Sequence, residues 1–154
     1  MMQTRINIEQ LTSFSQKDAE SIKELAAKLG KSTQNLTDDD IKEIISSPTT
    51  HLIVAREPKE QKIVGMATLA VYRIPYVKKA YFDDFIVLDE YQGQGIGSSL
   101  LKTVLSLAQD LGAKYIDFTS TPERIEANKL YEKFGFKKRN TNVYRLAFNH
   151  DKTQ

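Results

Sequence analysis

The chain has no cysteine and no tryptophan in its 154 residues. Without thiols there is no disulfide framework, no cysteine-ligated zinc and no thiol nucleophile, and a reducing cytoplasm is the expected setting. Long apolar runs are missing too. The most apolar stretches, Leu52–Ala55 and Phe85–Leu88, are four residues each, against roughly 20 for a bilayer span, so no membrane partner is expected. The opening MMQTRINIEQ is polar and alternating, unlike a signal or transit sequence. Neither sign of charge dominates: 22 Lys and Arg against 20 Asp and Glu leave +2, scattered along the chain, and nothing calls for nucleic acid. Only two histidines occur, His51 and His150. They are too isolated to form a metal or triad motif, and no metal is expected.

What remains is ordinary globular composition, 40% hydrophobic and 27% charged, in a chain the size of one domain. No repeat or interdomain linker interrupts it, so residues 1–154 are expected to form a single domain with a polar tail at about 149–154. Ile6 and Ile8 alternate with polar neighbours as in a strand. Ile22, Leu25, Ala26 and Leu29 mark a helix that Gly30 can end. Thr37 and Asp40 resemble a capping box for a second helix, ended by Pro48. Three strands follow, His51–Arg56, Ile63–Arg73 and Lys79–Leu88, with hairpin-like joins at EPKEQK and around Pro75. The period then changes to that of a helix, Ile96 to Leu111, closed by Gly112, with a short strand at Lys114–Phe118 beyond it. Thr121 as N-cap and Pro122 open another helix with exit at Gly135, and a last strand is expected near Asn142–Phe148. The order β-α-α-β-β-β-α-β-α-β implies an α/β (α+β) fold. Its mixed sheet is mainly antiparallel, with one βαβ crossover.

The most informative segment runs from Asp83 to Ser98. Gly93, Gly95 and Gly97 allow a tight turn between a strand and a helix, exposing N–H groups at the helix N-terminus. Such a turn stabilises an anion without a basic side chain. Two named phosphate motifs fail on spacing. Gly30-Lys31-Ser32 has Leu25 where a Walker A glycine belongs, and a dinucleotide fingerprint starting at Gly93 needs glycine at Ser98. Asp117 does lie where a ribose-binding acid is sought, but inside a strand, in a chain with one βαβ unit.

Gln92-x-x-Gly95-x-Gly97, followed by Glu126-Ala127-Asn128-Lys129-Leu130-Tyr131-Glu132-Lys133-Phe134-Gly135-Phe136, resembles the GNAT superfamily of acyl-CoA-dependent N-acetyltransferases. The two motifs with the helix and strand between them cover about a third of the chain. The resemblance implies that Gln92, Gly93, Gln94, Gly95, Ile96, Gly97 and Ser98 bind the diphosphate of acetyl-CoA, the acetyl donor, through main-chain amides. It implies that the strand ending near Leu88 pairs with the pantetheine arm, and that this strand and the next splay apart at the cofactor site. A backbone N–H near Ile86 or Val87 would polarise the acetyl carbonyl as an oxyanion hole.

Tyr131 matches the family position that protonates the departing thiolate, although by spacing it shares the buried helix face with Ala127 and Phe134. Asn128 is expected either to contact pantetheine or to tie its helix to the sheet. Many members carry Asn seven residues before the tyrosine, where this chain has Arg124.

A lysine-like amine has a pKa near 10.4 and attacks only when neutral, so a base or a water chain is useful. Asp83 and Asp84 lie on the strand leading to the turn. Alternation places them on opposite faces, with one toward the site. The expectation is direct acetyl transfer from acetyl-CoA to a primary amine of a small molecule or peptide, through a ternary complex. The alternative is a non-catalytic CoA-binding regulatory module of the same fold. Ser32–Asp40, Tyr72–Lys79 and the stretch with Asn142, Tyr144 and Arg145 are the expected acceptor-side loops. They spell out no particular amine, and the sequence leaves homodimer formation open.

Overall fold

The computed structural model describes residues 5–30 and 35–149. Lys31, Ser32, His150 and the tail from 150 onward lie outside the described residues. Two compact units are distinguished, Met1–Thr119 and Ser120–Gln154.

In the first unit the elements are β1 (Asn7–Gln10), α1 (Gln16–Ala27), α2 (Asp38–Ser46), β2 (Thr50–Arg56), β3 (Ile63–Ile74), β4 (Val77–Val87), a 3-10 turn (Asp89–Tyr91), α3 (Ile96–Asp110) and β5 (Ile116–Asp117). The sheet keeps sequence order. Its first three pairings are antiparallel and β4–β5 is parallel, which makes β4-α3-β5 the one crossover.

Local chemistry accounts for the helix starts. Ser15 Oγ accepts from the Asp18 N–H at 3.1 Å. At α2 the expected capping box forms: Thr37 Oγ1 accepts from the Asp40 N–H at 3.2 Å, and the Asp40 carboxylate accepts from the Thr37 N–H at 2.8 Å, so each residue satisfies a main-chain donor of the other. The core is aliphatic. Ile53, Val54, Ile63, Leu69, Leu88, Leu100, Leu101 and Val104 are all fully buried.

One polar cluster is held at the edge of this core. The Arg56 guanidinium donates to both Asp18 oxygens (2.7 and 3.1 Å), to Glu9 Oε1 (2.7 Å) and to the Gln61 carbonyl (3.0 Å). It ties β2 to β1, α1 and the β2–β3 loop by the planar bidentate geometry that only arginine supplies.

The β3–β4 ladder contains an extra residue. Leu69 and Gly65, on one face of β3, oppose Phe82 and Val87. Their partners are an odd number of residues apart, so one residue of β4 between them has no counterpart, which is a β-bulge. Asp84 adopts φ +53° there. Phe82 and Phe85 are consequently both buried, with their rings in edge contact at 6.1 Å.

The second unit contains α4 (Ile125–Lys133), and two expectations are corrected here. Thr121 does not cap the helix. Pro122, with its preset φ, occupies the second position of a turn closed by the Arg124 N–H on the Thr121 carbonyl at 3.2 Å, so α4 starts at Ile125 with Arg124 as N-cap. The strand expected at Asn142–Phe148 is also not formed. Alternation defines faces but supplies no ladder partner, and Val143, Tyr144, Leu146 and Phe148 are exposed.

Candidate active site

Leu88, Tyr91 and Gln92 carry the chain out of β4. The Leu88 N–H returns to the Val64 carbonyl at 2.9 Å, the Tyr91 N–H bonds the Leu88 carbonyl, and the Gln92 N–H bonds the Asp89 carbonyl. From there the backbone turns on two left-handed glycines, Gly93 at φ +75° and Gly95 at φ +78°. A Cβ at either would meet nothing within 4 Å, so conformation and not crowding selects glycine.

Gly95 is the N-cap of α3 and offers no side-chain acceptor. The first α3 turn closes only at Ser99, whose N–H bonds the Gly95 carbonyl at 3.1 Å. The amides of Ile96, Gly97 and Ser98 precede that bond, so they are the helix's open donors. No Lys or Arg occurs from Leu88 to Ser98. Any attraction of this turn for an anion therefore comes from main-chain donors and the positive end of the α3 dipole.

Beside the turn, β4 has an open edge. Its pairing with β5 is confined to Ala80↔Ile116 and Tyr81↔Asp117, although Phe118 still stacks on Phe82 at 4.2 Å. From Phe82 to Val87 no described strand lies along that edge. Antiparallel bonding alternates residue by residue. With Leu88 bonded to Val64 and Met66 paired with Ile86, the Ile86 N–H belongs to the ladder, whereas the Val87 N–H faces the open edge. The Val87 carbonyl faces the same way and accepts from Gln92 Nε2 at 3.1 Å.

Gln92 Nε2 also donates to Asp89 Oδ1 at 3.2 Å, so both carboxamide hydrogens are engaged within the protein. Asp89 in turn lies 3.6 Å from Lys28 Nζ, near the end of α1. Gln94 reaches the Glu90 carbonyl at 3.4 Å.

Asp83 and Asp84 do not divide between faces as simple alternation requires, because the bulge falls between Phe82 and Phe85. Both residues are exposed, and the Asp84 N–H donates to Asp83 Oδ1 at 2.9 Å. Loss of hydration, followed by the like charge of Asp83, raises the Asp84 carboxyl above its ordinary value. A proton-accepting group held at a higher pKa is a stronger base.

A residue that sequence reasoning missed is Gly65, opposite Val87. A Cβ there would sit 3.2 Å from the Ile86 carbonyl oxygen, 3.2 Å from Leu100 Cδ1 and 3.3 Å from Val87 Cγ2. The available signal was a lone glycine inside a strand pattern, which marks close backbone approach.

In the second unit, Tyr131 is buried, with its ring edge-on to Phe136 at 6.1 Å. Burial raises its phenol pKa, opposed by the positive charge of Arg124, so the hydroxyl is protonated near neutrality. Asn128 Nδ2 donates to the Thr121 carbonyl at 2.9 Å, tying α4 to its own entry turn. Of the expected acceptor-side groups, Asn142 Nδ2 bonds Tyr144 Oη at 3.1 Å. In the first unit Lys79 Nζ lies 5.4 Å from the Tyr72 ring centre and 5.9 Å from that of Tyr115. Among the described residues no cluster of metal-ligating side chains occurs and no helix is long and apolar enough to cross a membrane.

Comparison with known proteins gives consistent results. The model of the acetyltransferase (GNAT) family matches residues 18–136. The N-acetyltransferase CgeE of Bacillus subtilis (strain 168), itself uncharacterised, is 36% identical over 90 residues. That match takes in 56% of this chain and 33% of CgeE, so the chain spans a third of this relative's length. An uncharacterised N-acetyltransferase of Mycobacterium tuberculosis (strain H37Rv) is 29% identical over 119 residues, 76% of this chain and 72% of the relative. Among solved structures, the aminoglycoside N-acetyltransferase AAC(6')-Iy in complex with CoA superposes with a TM-score of 0.75 at 15% identity, covering 95% of this chain and 97% of that one. At that identity the likeness is one of fold.

Proposed function

Because the chain belongs to the GNAT family of acetyltransferases, we propose that it transfers the acetyl group of acetyl-CoA directly to a primary amine of a small molecule or peptide, within a ternary complex. The observation that carries this reading is the conjunction of free α3 amides on an uncrowded glycine turn with an outward-facing Val87 N–H on the adjoining open strand edge. The family match, residues 18–136, takes in parts of both units, which supports reading them as one functional domain.

The residues present suit such a donor. Amides from Gly93 to Ser98 would hold its diphosphate, and the edge of β4 offers main-chain pairing to an extended amide-bearing arm. When bound, acetyl-CoA supplies an activated thioester carbonyl. The Val87 N–H, which faces that edge, would donate to that carbonyl oxygen as negative charge develops, an effect worth about 10²–10³ in rate for one such donor. Asp84, with its raised carboxyl pKa and Asp83 beside it, would take the proton the amine must lose, directly or through water. Tyr131, protonated at neutral pH, would give its proton to the leaving sulfur. One C–N bond forms, one C–S bond breaks, and no covalent enzyme intermediate is needed. Holding both reactants together supplies much of the acceleration.

The test couples CoA-dependent thermal stabilisation with acetyl-CoA consumption across an amine panel. Gly95→Asp puts a carboxylate at a φ +78° position where phosphate is proposed. It should abolish CoA stabilisation, and unchanged CoA affinity would reject the location. Stabilisation of the wild-type protein without turnover on any amine would favour the non-catalytic module.

A further inference from the structure

We infer that Gln92 is a positioning residue whose side chain acts as an internal strut, fixing the end of β4 against the glycine turn without contacting the cofactor. Its kinetic consequence rests on the acetyl-transfer reading above; its structural content does not.

A glutamine carboxamide has two N–H donors and one acceptor oxygen. Here the donors go to the Val87 carbonyl at 3.1 Å and Asp89 Oδ1 at 3.2 Å. Only an acceptor is left to face solvent, and an acceptor is of no use to a phosphate.

What the donors hold is informative. The peptide plane joining Val87 to Leu88 is gripped at both ends, by the Leu88 N–H on Val64 and by Gln92 on the Val87 carbonyl. Without the second bond the plane is tethered on one side only, at the residue whose own N–H faces the open edge. Asp89 extends the connection, since its other oxygen lies 3.6 Å from Lys28. A continuous line thus runs from α1 through the 3-10 turn to the last residue of β4. Lys28 and Asp89 are substantially exposed, at 39% and 80%, so the outer link is the weaker one.

The experiment has three arms. In steady-state kinetics, Gln92→Ala should lower kcat about tenfold, the effect of one hydrogen bond of ordinary net strength. By calorimetry its Kd for CoA should stay within about twofold of wild type. Asp89→Ala should lower kcat in the same direction by less. The double variant should lose little beyond Gln92→Ala alone, because the two residues act as one unit. In protein labelled with ¹⁵N and ¹³C valine and free of substrate, Gln92→Ala should shift the Val87 amide and carbonyl resonances.

A Kd for CoA that weakens in step with kcat would overturn the inference and make Gln92 a cofactor contact. An unmoved Val87 carbonyl resonance would overturn it as well. If the wild-type protein acetylates no amine, the functional reading fails, while the resonance and CoA-affinity arms still decide the strut.

Discussion

Replacing Gly65 by alanine tests how the fold sets the open edge of β4. The added Cβ would lie 3.2 Å from the Ile86 carbonyl oxygen and 3.2 Å from Leu100 Cδ1, short of the 3.4 Å at which ordinary contact begins. Neither neighbour yields cheaply, because one is main chain in a ladder and the other is fully buried. Overpacking of this kind costs about 1–3 kcal/mol. The smaller backbone entropy of alanine in the unfolded chain returns about 0.4–1 kcal/mol. The midpoints leave a net loss of about 1.3 kcal/mol, and at roughly 2–4 °C per kcal/mol for a chain of this size Tm should fall by about 3–5 °C.

The strain should be relieved by β4 moving away from β3 by about 0.1–0.2 Å, the shortfall in contact distance. If a 1 Å misplacement costs about 100-fold, that shift lowers kcat by about 1.5- to 2.5-fold. Thermal melts and steady-state acetylation of one amine measure the two effects. An unchanged or raised Tm with unchanged kcat would refute the reasoning, since it would mean that β3 and β4 do not depend on this close approach.

Three further outcomes follow from other parts of the molecule. Tyr131→Phe removes only the hydroxyl, and kcat should fall with loss of the alkaline limb of the pH profile; Arg124→Gln should move that limb upward, because Arg124 opposes the rise in the phenol pKa. A normal pH profile for Tyr131→Phe would eliminate the general-acid assignment.

Asp84 is raised above 3.8 in the fold, so its contribution to stability is fully present below that pH and is lost as pH rises through the folded value. Asp84→Asn, which also tolerates the left-handed backbone, should therefore raise Tm at pH 7, and the gain should vanish toward pH 3.8. A gain independent of pH would contradict this. Asp18→Ala leaves the Arg56 guanidinium with Glu9 and the Gln61 carbonyl alone. Breaking a buried pair costs about 3–5 kcal/mol; the surviving partners reduce that to about 2–3 kcal/mol. Chemical denaturation giving under 0.5 kcal/mol would show the cluster to be dispensable.

Periodic features of this fold were legible in the sequence, and single-residue departures were not. The α3 stripe from Ile96 onward, the Thr37–Asp40 box and the glycine turn each follow from spacing that backbone chemistry requires. The bulge at Asp84 left no such trace. Asp83-Asp84 reads as two polar residues in a strand, and only the register of Phe82 and Val87 against β3 reveals that one has no partner. At α4, Thr121-Pro122 suits a helix entrance and a tight turn equally, because Pro fixes the same φ in both. The turn forms. In the site, the glycines could be named from sequence. The inward use of Gln92's donors could not, since it depends on where the Val87 carbonyl points.

The unpaired residue in β4 has a corollary for the edge of the sheet. Phe82 before it and Phe85 after it point into the same core, so the strand resumes in phase once the insertion has passed. Excising Asp84 would leave each flanking side chain on its present side while straightening the ribbon, allowing Phe118 and its neighbours to zip further along β4. One residue without a counterpart on β3 thus accompanies the whole length of β4 that β5 leaves uncovered.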